Sequence, residues 1–146
     1  MKRLLLSPVA LLAACAGSPG HLAADQRVGI LEPKPGSTVT GPVTIRWSSS
    51  FEPGEASGLW FVVYVDAAQA APGASALVGC ADVATCLAQG SMAGPNVFLT
   101  AAQQVDVGVL PTGAGPGHRL MIVLVDAKGV RQGAVAWTAS FSVADG

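Results

Sequence analysis

Val135-Ala136-Trp137-Thr138-Ala139-Ser140-Phe141-Ser142-Val143 alternates without a break. Val135, Trp137, Ala139, Phe141 and Val143 fall on one side, and Ala136, Thr138, Ser140 and Ser142 on the other. Successive side chains of a strand point to opposite faces, so period two marks a strand with one face in a core and one in water. Working back from this stretch, the signal recurs. Residues 120–126 form an apolar run between a Gly- and Pro-rich stretch and the tight-turn signal Asp126-Ala127-Lys128-Gly129. Val43, Ile45 and Trp47 alternate with Thr44, Arg46 and Ser48. Residues 28–31, 59–66, 97–100 and 104–110 are further candidate strands, the first ended by Pro33, Pro35 and Gly36. No long amphipathic helix interrupts these runs. About seven short strands with turn signals between them predict an all-β fold, a two-layer β-sandwich.

Four stretches carry a family resemblance. Pro33-Lys34-Pro35-Gly36-Ser37-Thr38-Val39-Thr40-Gly41-Pro42-Val43-Thr44-Ile45 resembles the opening of bacterial immunoglobulin-like domains, and Val63-Tyr64-Val65-Asp66 is similar to their third strand. Gly117-His118-Arg119-Leu120-Met121-Ile122-Val123-Leu124-Val125-Asp126-Ala127-Lys128-Gly129 resembles the strand and turn before their last strand, and Phe141-Ser142-Val143 their ending. The resemblance spans nearly all of residues 27–146 and implies an immunoglobulin-like β-sandwich, with an insertion after the third strand that contains both later cysteines. It implies no activity, because such domains serve as adhesin modules, enzyme appendages and other secreted parts. The loop motifs of the immunoglobulin-like cysteine-protease inhibitors are not recognisable here.

The N-terminus speaks of location. Met1-Lys2-Arg3 leads a short apolar run that closes on Leu12-Ala13-Ala14-Cys15, the layout of a bacterial secretory signal. Leu4 to Ala14 is eleven residues with Ser7 and Pro8 among them, against about 20 for a spanning helix. The closing tetrapeptide resembles the lipobox of bacterial lipoproteins. That resemblance implies removal of residues 1–14 as signal peptide and lipidation of Cys15, with several acyl chains holding the protein durably to the membrane. Ala16, where an aspartate would resemble a retention signal, favours the outer membrane, on its periplasmic or cell-surface side. An ordinary soluble-secretion signal cleaved near Ala13-Ala14 is the rival. Residues 15–26 then read as the lipidated cysteine and a small-residue tether containing His21, and residues 27–146 as the domain.

Composition narrows the function classes. Hydrophobic residues make up 51% of the chain and charged ones 12%, which suits a packed core and argues against disorder. Without Lys2 and Arg3, six basic residues face nine acidic ones. Arg27, Lys34, Arg46, Arg119, Lys128 and Arg131 are scattered singly, so nucleic-acid binding has no electrostatic footprint. With Cys15 assigned to lipid, Cys80 and Cys86 form an even pair, and an oxidising compartment predicts one disulfide closing a small loop. A redox pair usually has two intervening residues, and a zinc site would need ligands that His21 and His118 do not readily supply. Asp66 and Asp126 end strands; with Glu52, Glu55 or Asp106 they raise a calcium reading, but turn chemistry is the preferred one. There is no Gly-x-Ser-x-Gly elbow, phosphate loop or His-Glu-x-x-His, and His118 reads as a loop–strand junction. No catalytic residue, metal or cofactor is expected.

One feature points to recognition. Residues 59–66 and 120–126 are apolar on both faces. By the family pattern Leu59, Phe61, Val63, Val65, Leu120, Ile122 and Leu124 face the core. Trp60, Val62, Tyr64, Met121, Val123 and Val125 then share the other face as a candidate binding patch. Between Asp66 and Asn96 lie about thirty residues, longer than a structureless loop should be, and residues 82–89 suit a helical turn or two. Two readings stay open: the insertion covers the patch, or the patch and the stapled loop contact another envelope protein or a glycan. The expectation is a lipid-anchored envelope lipoprotein acting as a non-catalytic binding or structural module. The alternative is an accessory or inhibitor domain acting on an envelope enzyme.

Overall fold

In the computed structural model, which describes residues 25–112 and 117–146, the alternating C-terminal stretch is the strand Trp137–Ala144. The lipobox, Cys15 and the tether up to residue 24 lie outside the described residues. In chain order the elements are β1 (Val28–Glu32), β2 (Thr38–Thr40), β3 (Val43–Ser49), β4 (Trp60–Val65), α1 (Val83–Ala88), β5 (Met92–Gly94), β6 (Val97–Thr100), β7 (Gln104–Gly108), β8 (His118–Val125) and β9 (Trp137–Ala144). Two sheets form, a narrow one in the order β1-β3-β7 and a wide one in the order β2-β9-β8-β4-β6-β5. The chain is an all-β sandwich with a disulfide-containing insertion.

The inward faces of the two sheets make the first core. Ile45 and Trp47 of β3 and Val105 of β7 meet Phe61, Val63 and Val65 of β4, Leu120, Ile122 and Leu124 of β8, and Phe141 of β9. Trp47 and Phe61 pack edge to face with ring centres 5.3 Å apart, a geometry that suits the two ring quadrupoles. Outward, β3 shows Thr44, Arg46 and Ser48 to water, as its alternation predicts.

Two strands were not expected. β2 is three residues long and runs parallel to β9, with Val39 opposite Val143, and β5 is equally short at the wide sheet's edge. Three residues between Pro and Gly signals leave no period to read. β9 starts at Trp137 rather than Val135 because the Arg131 guanidinium takes the carbonyls of Ala134 and Val135, at 2.9 and 3.3 Å. Those groups are spent before the ladder begins.

The insertion forms a third layer over the outer face of the wide sheet. It springs from a hairpin: Tyr64 pairs with Val97, and the Val65 N–H donates to the Asn96 carbonyl at 3.0 Å. Its return path is laced to the β8–β9 connection. Gly73 N–H donates to the Arg131 carbonyl, Arg131 N–H to that of Ala74, Ala76 N–H to that of Gly129 and Val83 N–H to that of Ala127, over 2.8–3.1 Å. Gly129 adopts φ +75° and packs under the Leu77 side chain, which would collide with any Cβ there. Asp82 caps α1, its Oδ1 accepting from the Thr85 N–H at 2.8 Å. The Cys80–Cys86 disulfide ties the helix to the segment before it, with Cα atoms 5.4 Å apart.

Register defines two poles. β1 starts opposite Ser49, the end of β3, and β4 starts opposite Val125, the end of β8. The described chain therefore begins at the pole bearing the β3–β4 and β8–β9 connections. There the Trp137 indole N–H donates to the Asp25 carbonyl at 2.8 Å, and the Arg27 guanidinium lies over the Trp137 ring at 5.7 Å.

Candidate functional site

The candidate binding face is not open, and the exposed-patch reading is corrected. Trp60 is 7% exposed, Val62 0%, Tyr64 2%, Met121 5% and Val123 0%. With Val125 they form a second core against Ala76, Val83, Cys86, Ala93, Val97 and Leu99. The cause is the hydrophobic effect acting within the chain: an insertion carrying its own apolar side chains removes the patch from water before any partner can. Tyr64 adds a polar anchor, its hydroxyl accepting from the Ala70 N–H at 3.2 Å. Burial pushes the Tyr64 phenol above its ordinary pKa, so the hydroxyl stays protonated.

Two members of that face still reach the surface, Met121 beside Asp66 and Arg119, and Trp60 at the opposite pole. Trp60 lies at the wall of a groove of about 620 Å³, between α1 (Val83, Ala84 and Leu87), Gly54 and Glu55 of the β3–β4 connection, and Ala127 and Lys128 of the β8–β9 turn. The volume falls in the range of small-ligand pockets, roughly 300–1,000 Å³. The Trp60 indole supplies an aromatic wall to the groove. The Asp82 carboxylate is held below its ordinary range by the Thr85 backbone N–H of the helix cap and by the Thr85 side chain, so one of its oxygens is already spent. Glu55 and Lys128 supply one charge of each sign at the rim. A second cavity of about 530 Å³, between residues 49–53 and 101–103, is the more polar of the two.

Three of the carboxylates weighed for calcium, Asp126, Asp106 and Asp66, are engaged in turns and side-chain pairs. Asp126 Oδ1 accepts from the N–H groups of Lys128 and Val130 at 2.9 and 3.0 Å. Asp106 accepts from the Thr44 hydroxyl at 2.7 Å. Asp66, in the left-handed region at φ +53°, accepts from the Arg119 N–H at 2.7 Å and approaches His118.

Two features escaped the sequence. Arg131, one of six scattered cations there, is 3% exposed and donates to the carbonyls of Ala70, Ala134 and Val135. Nothing local distinguishes it, because Ala70 is sixty-one residues away. His118 joins Asp66 and Pro111, a junction whose members likewise meet only in the folded chain. No family model, curated protein or solved structure matches this chain.

Proposed function

We propose that this protein is exported, lipid-anchored at Cys15, and acts in the cell envelope as a non-catalytic binding or structural module of immunoglobulin-like type. The lipobox resemblance and a cysteine pair joined as a disulfide support export, since disulfides persist in oxidising compartments. The observation that carries the binding reading is the Trp60 groove, where the stapled insertion and the strand expected to recognise a partner come together. Its apolar walls, with Glu55 and Lys128 beside them, suit another envelope protein or a glycan that brings an apolar surface and polar groups at its edge.

The groove shares its pole with Asp25, where the tether joins the domain. Nine residues lie between Cys15 and Asp25, and the ten Cα–Cα steps reach at most about 35 Å. The groove would thus work close to the anchoring membrane, on its periplasmic or cell-surface side. A photo-crosslinking residue at Ala84 should capture a partner in intact cells, whereas one at Ser48, on the narrow sheet's polar face, should not. Equal capture from both positions, or none from Ala84, would remove the groove from the account. Mass spectrometry of the mature N-terminus tests acylation separately.

A further inference from the structure

His118, the one histidine among the described residues, opens β8 at the pole opposite the tether. Its side chain is 13% exposed and lies against the Phe141 ring of β9, with centres 5.5 Å apart. Nδ1 stands 2.6 Å from Asp66 Oδ2, and Nε2 stands 2.9 Å from the Pro111 carbonyl oxygen. A carboxylate and a carbonyl both only accept. A neutral imidazole carries one N–H and can serve one of them; an imidazolium serves both.

We propose that His118 is a pH-operated latch: as an imidazolium it fastens the Pro111 segment to Asp66 at the root of the insertion, and loss of the Nε2 proton to solvent releases Pro111. The two arms belong to different layers. Asp66 follows β4 where the insertion begins, and Pro111 follows Leu110, whose side chain is buried in the first core. Asp66 is itself fixed by the Arg119 N–H, so the ring docks onto a positioned carboxylate. The charged groups on the surrounding elements are Asp66, Arg119 on β8 itself, and Asp145 beyond β9, which accepts from the Thr112 hydroxyl at 2.6 Å. β9 presents only the uncharged Phe141 ring.

The direction of the pH effect follows. The Asp66 hydrogen bond is the main cause raising the His118 pKa above its ordinary 6.5; burial opposes it and the Pro111 carbonyl adds to it. A raised folded-state value means that the stabilisation is complete below about 6.5 and disappears as pH climbs through the higher value. The latched state is the acidic one.

Nitrogen NMR of the imidazole in the full chain, assigned with His118→Asn, tests this together with backbone nitrogen relaxation. At pH values below about 6.5 both ring nitrogens should carry protons. On raising the pH, Nε2 alone should lose its proton, with a midpoint above the ordinary value. Backbone order at Leu110 and Thr112, read from nitrogen relaxation, should fall with the same midpoint, while that of Leu99 in the second core should not. Asp66→Asn keeps an oxygen for the Arg119 N–H and suits the left-handed backbone, so it should move the midpoint down. A neutral ring throughout the acidic range, or backbone order at Leu110 and Thr112 that ignores pH, would overturn the proposal from the unsubstituted chain alone.

Discussion

A single buried cation holds the layers in register. Arg131 turns its guanidinium to three carbonyls, at 2.6 Å to Ala70 and at 2.9 and 3.3 Å to Ala134 and Val135, joining the start of the insertion to the approach of β9. Carbonyls solvate the charge without cancelling it, so the arrangement depends on all three bonds being made. Its Nε has no partner among the described residues, and burial of that group is a standing cost. Arg131→Met keeps the apolar stem and removes every side-chain donor. Ala134 and Val135 are exposed, so water can replace the bonds to their carbonyls, and the bond to Ala70 sets the scale. A hydrogen bond to a charged group contributes roughly 1.5–3 kcal/mol, so a loss of about 3 kcal/mol is expected in urea unfolding. Arg131→Lys should recover little of it, since one ammonium cannot reproduce the planar fork. A lysine variant as stable as the parent would show that charge, rather than guanidinium geometry, does the holding.

At the scale of elements, what could be read depended on where water lies. β3 and β9 alternate because one face is wet, and both stand out in the sequence. β4 and the stretch of β8 from Leu120 are buried at every residue, so period two vanishes there and the strands read as plain apolar runs. An apolar outer face says that something covers it, and sequence alone does not distinguish the chain's own insertion from a partner. The helix was legible as a turn or two over residues 82–89, and the structure adds Asp82 as its cap, although six residues are too few to stand alone. α1 persists through its cap, the Val83 N–H bond to the Ala127 carbonyl, and the disulfide at fully buried Cys86. Replacing both Cys80 and Cys86 by Ala should cost on the order of 2 kcal/mol. Amide exchange should accelerate at Leu87 and Gln89 and stay unchanged at Ile45 in the first core. Acceleration spread evenly over both cores would mean that the staple acts on the whole fold and not on the insertion.

For the whole molecule, the consequence is three layers rather than the two that strand counting implies. The wide sheet is the middle layer, with a narrow sheet on one side and a stapled insertion on the other. Because the insertion leaves from one hairpin, it can be removed in principle without rerouting the sandwich: Tyr64 already faces Val97, and Asn96 already accepts from the Val65 N–H. Replacing residues 67–95 by Asn-Gly would leave the three-residue loop Asp66-Asn-Gly between the Val65–Asn96 pair, keep the register, and strip the cover from Trp60, Val62, Tyr64, Met121, Val123 and Val125. An apolar patch of that kind drives association. The shortened chain should therefore bind a hydrophobic dye and self-associate in sedimentation velocity, while near-ultraviolet circular dichroism still reports an ordered Trp47–Phe61 core. Val62 and Val123 are directly paired across β4 and β8, so Val62→Lys with Val123→Glu should return the shortened chain to a monomer. If the polar pair is present and the shortened chain still fails to fold, the insertion is part of what builds the sandwich. The middle sheet then cannot be treated as a platform to which the cover was added.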